Sequence, residues 1–269
     1  IDDAEIMKFN RAEVDQWQPI SASFLEVLTL SQGLAALTEG RFDITIGPLI
    51  ELWGFGKREQ GDIPSDDEIN TAKSRVGWQN LVIDQQKSAI KKMIPLWLDV
   101  SAVAKGYGVD QISALLDQYN SSRYLVEIGG EMRVKGYNQQ DRAWRVGIEA
   151  PSLLQRQAQQ IVAFTDKAIA TSGDYRNFFE KDGQRFSHTI DPSTGKPVRH
   201  NIASVTVIAE TAAAADAYAT ALNVLGKKNA LAFAEQQNLA AYFILYNNDD
   251  PNQDYDIVVT EQFKPFLVQ

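Results

Sequence analysis

The segment Asp99-Val100-Ser101-Ala102-Val103-Ala104-Lys105-Gly106-Tyr107-Gly108-Val109-Asp110 joins a carboxylate, a run of small residues and one lysine to the apolar positions Ile112, Leu115 and Leu116. An apolar run over 94–100 precedes it and predicts a strand. The segment then reads as a small-residue turn that opens into a helix. Working outward, residues 79–84 read as a strand on one side, and Tyr124 to Ile128 as a strand ending at Gly129-Gly130 on the other. Helices are predicted over 21–40, from Asp66 to Ser74, over 211–225 and over 229–237, with strands at 161–164, 168–171, 204–208 and 240–246. Phe42 to Leu49 alternates and is broken by Gly47-Pro48, which predicts a strand turning into a loop. Residues 131–149 predict a hairpin through Gly136 and Asn138. Strands and helices do not alternate strictly, and no repeat or low-complexity tract occurs. The expected class is α+β, as one large domain or two closely joined lobes.

Of the 269 residues, 44% are hydrophobic and 23% charged, an ordinary balance for a chain with a substantial core. The net charge of −9 opposes an extended phosphate backbone or an anionic membrane surface as partner. A small anionic ligand would have to be met locally by a metal, a few cations or backbone N–H groups. With no cysteine, thiolate catalysis, Cys-ligated zinc and disulfides are excluded. No apolar run reaches the length of a membrane span. The chain begins at Ile1 rather than Met, so an upstream segment carrying any signal or lipid anchor is expected to be missing from it.

Three constellations carry possible chemistry. Asp216 and Thr220 lie one turn apart on a helix face and offer two hard oxygens to Mg²⁺; a helix start with Thr220 bonded to its own backbone is the alternative. Asp99 to Asp110 suits phosphate, because small residues let backbone approach a ligand and Lys105 adds a point charge, although the order of a P-loop is absent. A tight connection with a surface lysine is the other reading. His188 stands before Asp191-Pro192 and Thr194-Gly195, where a neutral imidazole could take a proton from a hydroxyl or serve only packing. His200, with no glycine turn or carboxylate close by, reads as a surface residue. Gly129-Gly130 reads as a bulge or turn, and Tyr175, Phe178 and Phe179 as core rather than a stacking platform for a ligand.

Taken in order, Phe42 to Leu49, Leu52-Trp53-Gly54-Phe55-Gly56, Asp99 to Tyr107, Gly129-Gly130, Ala170-Thr171-Ser172-Gly173, His188 to Pro197, Ser204 to Ile208 and Ala215 to Thr220 closely resemble the FAD:protein FMN transferase family, also called the ApbE or thiamine-biosynthesis lipoprotein family. The resemblance covers essentially the whole chain. It implies a single flavin transferase domain over 1–269 with a two-lobed α+β fold, lacking an opening strand and any signal segment. It further implies FAD held in a cleft with Mg²⁺ on its pyrophosphate. Metal ligands map onto Asp216, Thr220 and the Ala102 carbonyl, and FAD contacts onto Arg41, Phe42, Asp43, Asp99, Lys105 and Ile190. His188 is the implied base. The chain departs from some relatives at Ala219, where they carry a further acidic ligand, and at Lys105, where they carry Glu. The implied reaction is attack of a Thr or Ser hydroxyl of an acceptor protein on the FMN-side phosphorus of FAD, with release of AMP. Acceptors would be subunits of redox-driven ion pumps, and the enzyme a lipoprotein at the periplasmic face of the bacterial inner membrane. The rival readings are an FAD pyrophosphatase releasing FMN and AMP, and a flavin-binding protein without turnover.

Overall fold

A computed structural model describes residues 3–56, 63–151, 158–173, 178–181, 183–247 and 255–268. Its helices are α1 (Glu5–Arg11), α2 (Ala22–Leu37), α3 (Gly47–Leu52), α4 (Asp66–Lys73), α5 (Ser101–Gln118) and α6 (Ala212–Gln236). Its strands are β1 (Gln18–Pro19), β2 (Leu81–Asp84), β3 (Ala89–Lys92), β4 (Tyr124–Ile128), β5 (Glu131–Lys135), β6 (Trp144–Glu149), β7 (Ala158–Phe164) and β8 (Ala168–Gly173). They continue with β9 (Phe178–Lys181), β10 (Gln184–Ser187), β11 (Ile190–Asp191), β12 (Lys196–Pro197), β13 (Ile202–Ala209), β14 (Ala240–Tyr246) and β15 (Tyr255–Val259). The chain is mixed α+β, as expected. It forms two compact units, Ile1–Ala102 with Ile190–Val198, and Val103–Thr189 with Arg199–Gln269. None of the described helices is long and apolar enough to cross a membrane.

The first unit holds a small antiparallel sheet of order β1-β3-β2, helices α1 to α4 and the hairpin of β11 and β12. Local chemistry sets its helix starts. Ser21 caps α2, and Ser65 and Glu68 form a reciprocal capping box on α4. The strand expected over 42–49 does not form; only Ile46 bridges Trp97. Pro48 stands in the first turn of α3, so Gly47-Pro48 starts a helix, where a missing N–H costs nothing, instead of breaking a strand. Residues 94–100 are likewise irregular. The buried Asn10 side chain holds them, donating to the Leu98 carbonyl at 2.9 Å and accepting the Leu98 N–H at 2.7 Å.

The second unit is built on a six-stranded antiparallel sheet of order β15-β14-β13-β8-β5-β4. Strand alternation divides its side chains between two faces. Val205, Val207, Phe243 and Leu245 pack with Ala219 and Leu222 of α6 on one face. Tyr242 and Ile244 pack on the other with Val146, Ile148, Val162 and Phe164 from the paired β6 and β7. Helix α5 contributes Val109 to a cluster with Tyr124, Val126, Ala168 and Ala212. The hairpin expected over 131–149 is not made. β5 pairs with β4 through the Gly129-Gly130 turn and with β8 on its far side, so both its edges are taken and β6 pairs with β7. Both turn glycines have positive φ, 63° and 105°, the conformation that a two-residue hairpin needs. The two helices expected over 211–225 and 229–237 both form within α6, separated by a kink at Gly226, whose backbone is not helical (φ 71°, ψ 159°).

Candidate active site

The expected turn after Asp99 is helical. Alanines favour helix, and the Asp99 carboxylate accepts the Ser101 N–H at 2.8 Å, so α5 begins at Ser101 and takes in Ala102 and Lys105. Within the second unit, α5 meets the start of α6 at Gly106. A Cβ at Gly106 would lie 2.2 Å from the Ala212 carbonyl oxygen, so the contact is open only to glycine. One turn on, Asp110 accepts the Ala212 and Ala213 N–H groups at 3.0 and 2.9 Å and pairs with Arg133 at 2.7 Å. It satisfies donors that the first turn of α6 leaves without helical partners. Asp110 therefore holds α6 in register against α5.

That register sets Asp216 over α5. Its carboxylate accepts the Gly106 N–H at 3.2 Å and lies 3.7 Å from the Lys105 ammonium. Burial pushes the Asp216 pKa up to about 6, against the pull of Lys105, and the negative charge of Glu131 adds to the rise. Glu131, the first residue of β5, is 3% exposed; its Oε1 accepts from Lys105 at 2.5 Å and its Oε2 has no partner among the described residues. Thr220 stands one turn beyond Asp216 on α6 and is half-buried. Ser113 of α5 returns its hydroxyl to the Val109 carbonyl. Thr220 makes no such bond among the described residues, which removes the self-bonded alternative for its hydroxyl.

The Asp216 carboxylate and the Thr220 hydroxyl, two hard oxygens with no nitrogen or sulfur ligand, suit a small hard cation. Among the described residues no group of three or more His, Asp or Glu gathers as a closed metal cage. Such a set fits Mg²⁺, which keeps water and phosphate oxygens in its shell.

The first unit places the other expected residues. Arg41 reaches the Asp191 carboxylate at 2.6 Å, beside the buried Ile190. Asp191 also accepts the Ser193 N–H and hydroxyl, and Trp53 donates its indole N–H to the Gly195 carbonyl at 2.8 Å. Phe42 is buried. Asp43 is buried too and accepts the Thr45 N–H, the Thr45 hydroxyl and the Trp78 N–H; desolvation still raises its pKa above the ordinary value. Phe42 and Asp43 thus have side chains committed to the fold.

His188 follows β10 and is half-buried, next to a corner where the Ser187 hydroxyl accepts the Thr189 N–H. Phe179 stacks on Phe186 with ring centres 5.0 Å apart, and Tyr175 lies outside the described residues. His200 is not a surface residue. It is part-buried, its Nε2 bonds the Asn223 carbonyl at 2.6 Å and its Nδ1 accepts the Ile202 N–H at 3.2 Å. The kink at Gly226 leaves carbonyls of the preceding turn without helical donors, and the imidazole supplies one. Sequence reasoning missed Glu131 and the capping role of Asp110; the signal for Glu131 was an acid placed directly after a two-glycine turn.

The sequence model of the ApbE family matches residues 1–243. A curated relative from Vibrio cholerae, named FAD:protein FMN transferase, is 42% identical over 267 residues, 98% of this chain and 78% of the relative. One of the same name from Escherichia coli K12 is 40% identical, over 99% of this chain and 76% of the relative. The solved structure titled flavin transferase ApbE from Vibrio cholerae superposes with a TM-score of 0.89 at 39% identity, covering 99% of this chain and 84% of that one. The ApbE protein of Thermotoga maritima gives 0.87 at 30% identity, with 98% and 84% covered. A match over most of the length, in sequence and in fold alike, means that this chain belongs to the ApbE family.

Proposed function

We propose that the chain is a magnesium-dependent flavin transferase that moves FMN from FAD onto a Thr or Ser hydroxyl of an acceptor protein and releases AMP. Relatives named FAD:protein FMN transferase support the flavin transfer. The observation that carries the metal dependence is the pairing on α6 of a buried, anchored Asp216 with a Thr220 hydroxyl that is not spent on its own helix.

When bound, Mg²⁺ would supply charge neutralisation on the pyrophosphate. Asp216 and Thr220 would hold it, with the Ala102 carbonyl as the third protein ligand on the family resemblance. Lys105, half-exposed on α5, brings a mobile ammonium to phosphate oxygens. His188 takes the proton from the acceptor hydroxyl as its oxygen bonds to the FMN-side phosphorus and the bond to the AMP oxygen breaks. The same reading takes the acceptor to be a subunit of a redox-driven ion pump and the enzyme to act at the periplasmic face as a lipoprotein.

The test is incubation with FAD and Mg²⁺, with and without an acceptor domain, following AMP and protein-bound flavin fluorescence. Acceptor-dependent AMP with a labelled acceptor is expected. AMP released equally without acceptor would make the chain a pyrophosphatase, and intact bound FAD a binding protein.

A further inference from the structure

Glu131 has no role in the function proposed above, yet it is among the most buried acids in the second unit. It is 3% exposed, fixed at the first position of β5 by the turn before it, and its Oε2 lacks any partner among the described residues. Its Oε1 and the Asp216 Oδ1 face one ammonium, that of Lys105, at 2.5 and 3.7 Å. A single positive charge against two buried carboxylates leaves one negative charge unbalanced. An orphaned carboxylate oxygen adds a desolvation penalty that nothing repays. Gly129 stands beside it without a side chain; a Cβ there would lie 3.6 Å from Oε2 and 3.4 Å from Lys105 Cδ. Lys105 is 46% exposed on a flexible stem, whereas the carboxylates are anchored, Asp216 by the Gly106 N–H and Glu131 by its strand.

We propose that Glu131 is the second carboxylate of the divalent-cation site built on Asp216, and that Lys105 is the counter-ion that holds the pair while no cation is bound. A divalent ion satisfies the orphaned oxygen and balances the charge together, which one ammonium does not. Lys105 is then released toward phosphate. The proposal rests on the reading of Asp216 as a cation ligand, and the test separates the two.

The test is direct binding of Mn²⁺ to the purified full chain without FAD, by electron paramagnetic resonance of the free ion, with the melting curve of each variant recorded. Glu131→Gln is expected to weaken Mn²⁺ by about tenfold or more. Lys105→Met, which removes a competing positive charge, is expected to leave binding unchanged or tighten it. Equal weakening by both variants would mean that Glu131 acts only through Lys105, and would overturn the proposal. Loss of binding in Asp216→Asn with Glu131→Gln at wild-type affinity would overturn the role of Glu131 and leave that of Asp216 standing. Wild-type affinity in Asp216→Asn would remove both. If Glu131→Gln does not fold, the sign of the Lys105→Met effect decides, because weaker binding in that variant contradicts the counter-ion role.

Discussion

Asp110 on α5 receives the Ala212 N–H of α6 at 3.0 Å, so one helix carries the cap of the next although 102 positions separate them in sequence. The same carboxylate takes the Ala213 N–H and the Arg133 guanidinium. Asp110→Asn turns an acceptor toward Arg133 and the helix start into a donor, and is expected to cost about 1–3 kcal/mol of stability. Urea unfolding of the variant against wild type measures it. A change within a few tenths would show that α6 holds its register without the cap.

Gly106 and Gly108 sit two apart on α5, and only one of them is a close contact. Gly106→Ala would drive a methyl into backbone at Ala212, whereas the neighbour met at Gly108 is the Ile128 Cδ1 at 3.3 Å, the far end of a flexible side chain. Gly106→Ala is expected to destabilise by about 1–3 kcal/mol or more. Gly108→Ala should be near neutral, because the helix gains propensity. Equal melting temperatures for the two variants would contradict the close approach of α5 and α6.

Thr220→Val keeps the β-branched shape and removes the oxygen. The Mg²⁺ concentration for half-maximal AMP release is expected to rise by about tenfold, with part of the rate recovered at saturating metal. A titration that overlays wild type, at equal thermal stability, would remove Thr220 from the cation site.

His188→Ala is expected to slow transfer by on the order of 10²-fold, the usual worth of a general base. FAD affinity should change far less than the rate. A variant within a few-fold of wild type would return His188 to packing.

His200 gives a pH signature in stability. Burial lowers its pKa below the ordinary 6.5, and both ring nitrogens are bonded in the neutral form. Below 6.5 the unfolded chain therefore binds the proton that the folded chain refuses. The contribution is complete above pH 6.5 and is lost as pH falls through the lowered folded pKa. His200→Gln should flatten the stability profile below neutrality relative to wild type, in urea titrations run at a series of pH values. An unchanged slope would mean that the imidazole titrates freely.

The sequence alone determined whatever depends on neighbours in the chain. The capping box on α4, the Gly129-Gly130 turn, strands β4 and β14 and the one-turn spacing of Asp216 and Thr220 all follow from local spacing and local hydrogen bonds. The order of short motifs was enough for the family resemblance. Tertiary structure decided what depends on partners far along the chain. Whether β6 pairs with β5 or β7 turned on which edges other segments had already filled. His200 reads as surface until the kink at Gly226 brings an unpaired carbonyl to it. Glu131 joins Asp216 only because Lys105, 26 residues before it, bridges the two. Electrostatic sites of this kind are set by distance and burial in space, and neither is encoded in the spacing of residues along the chain.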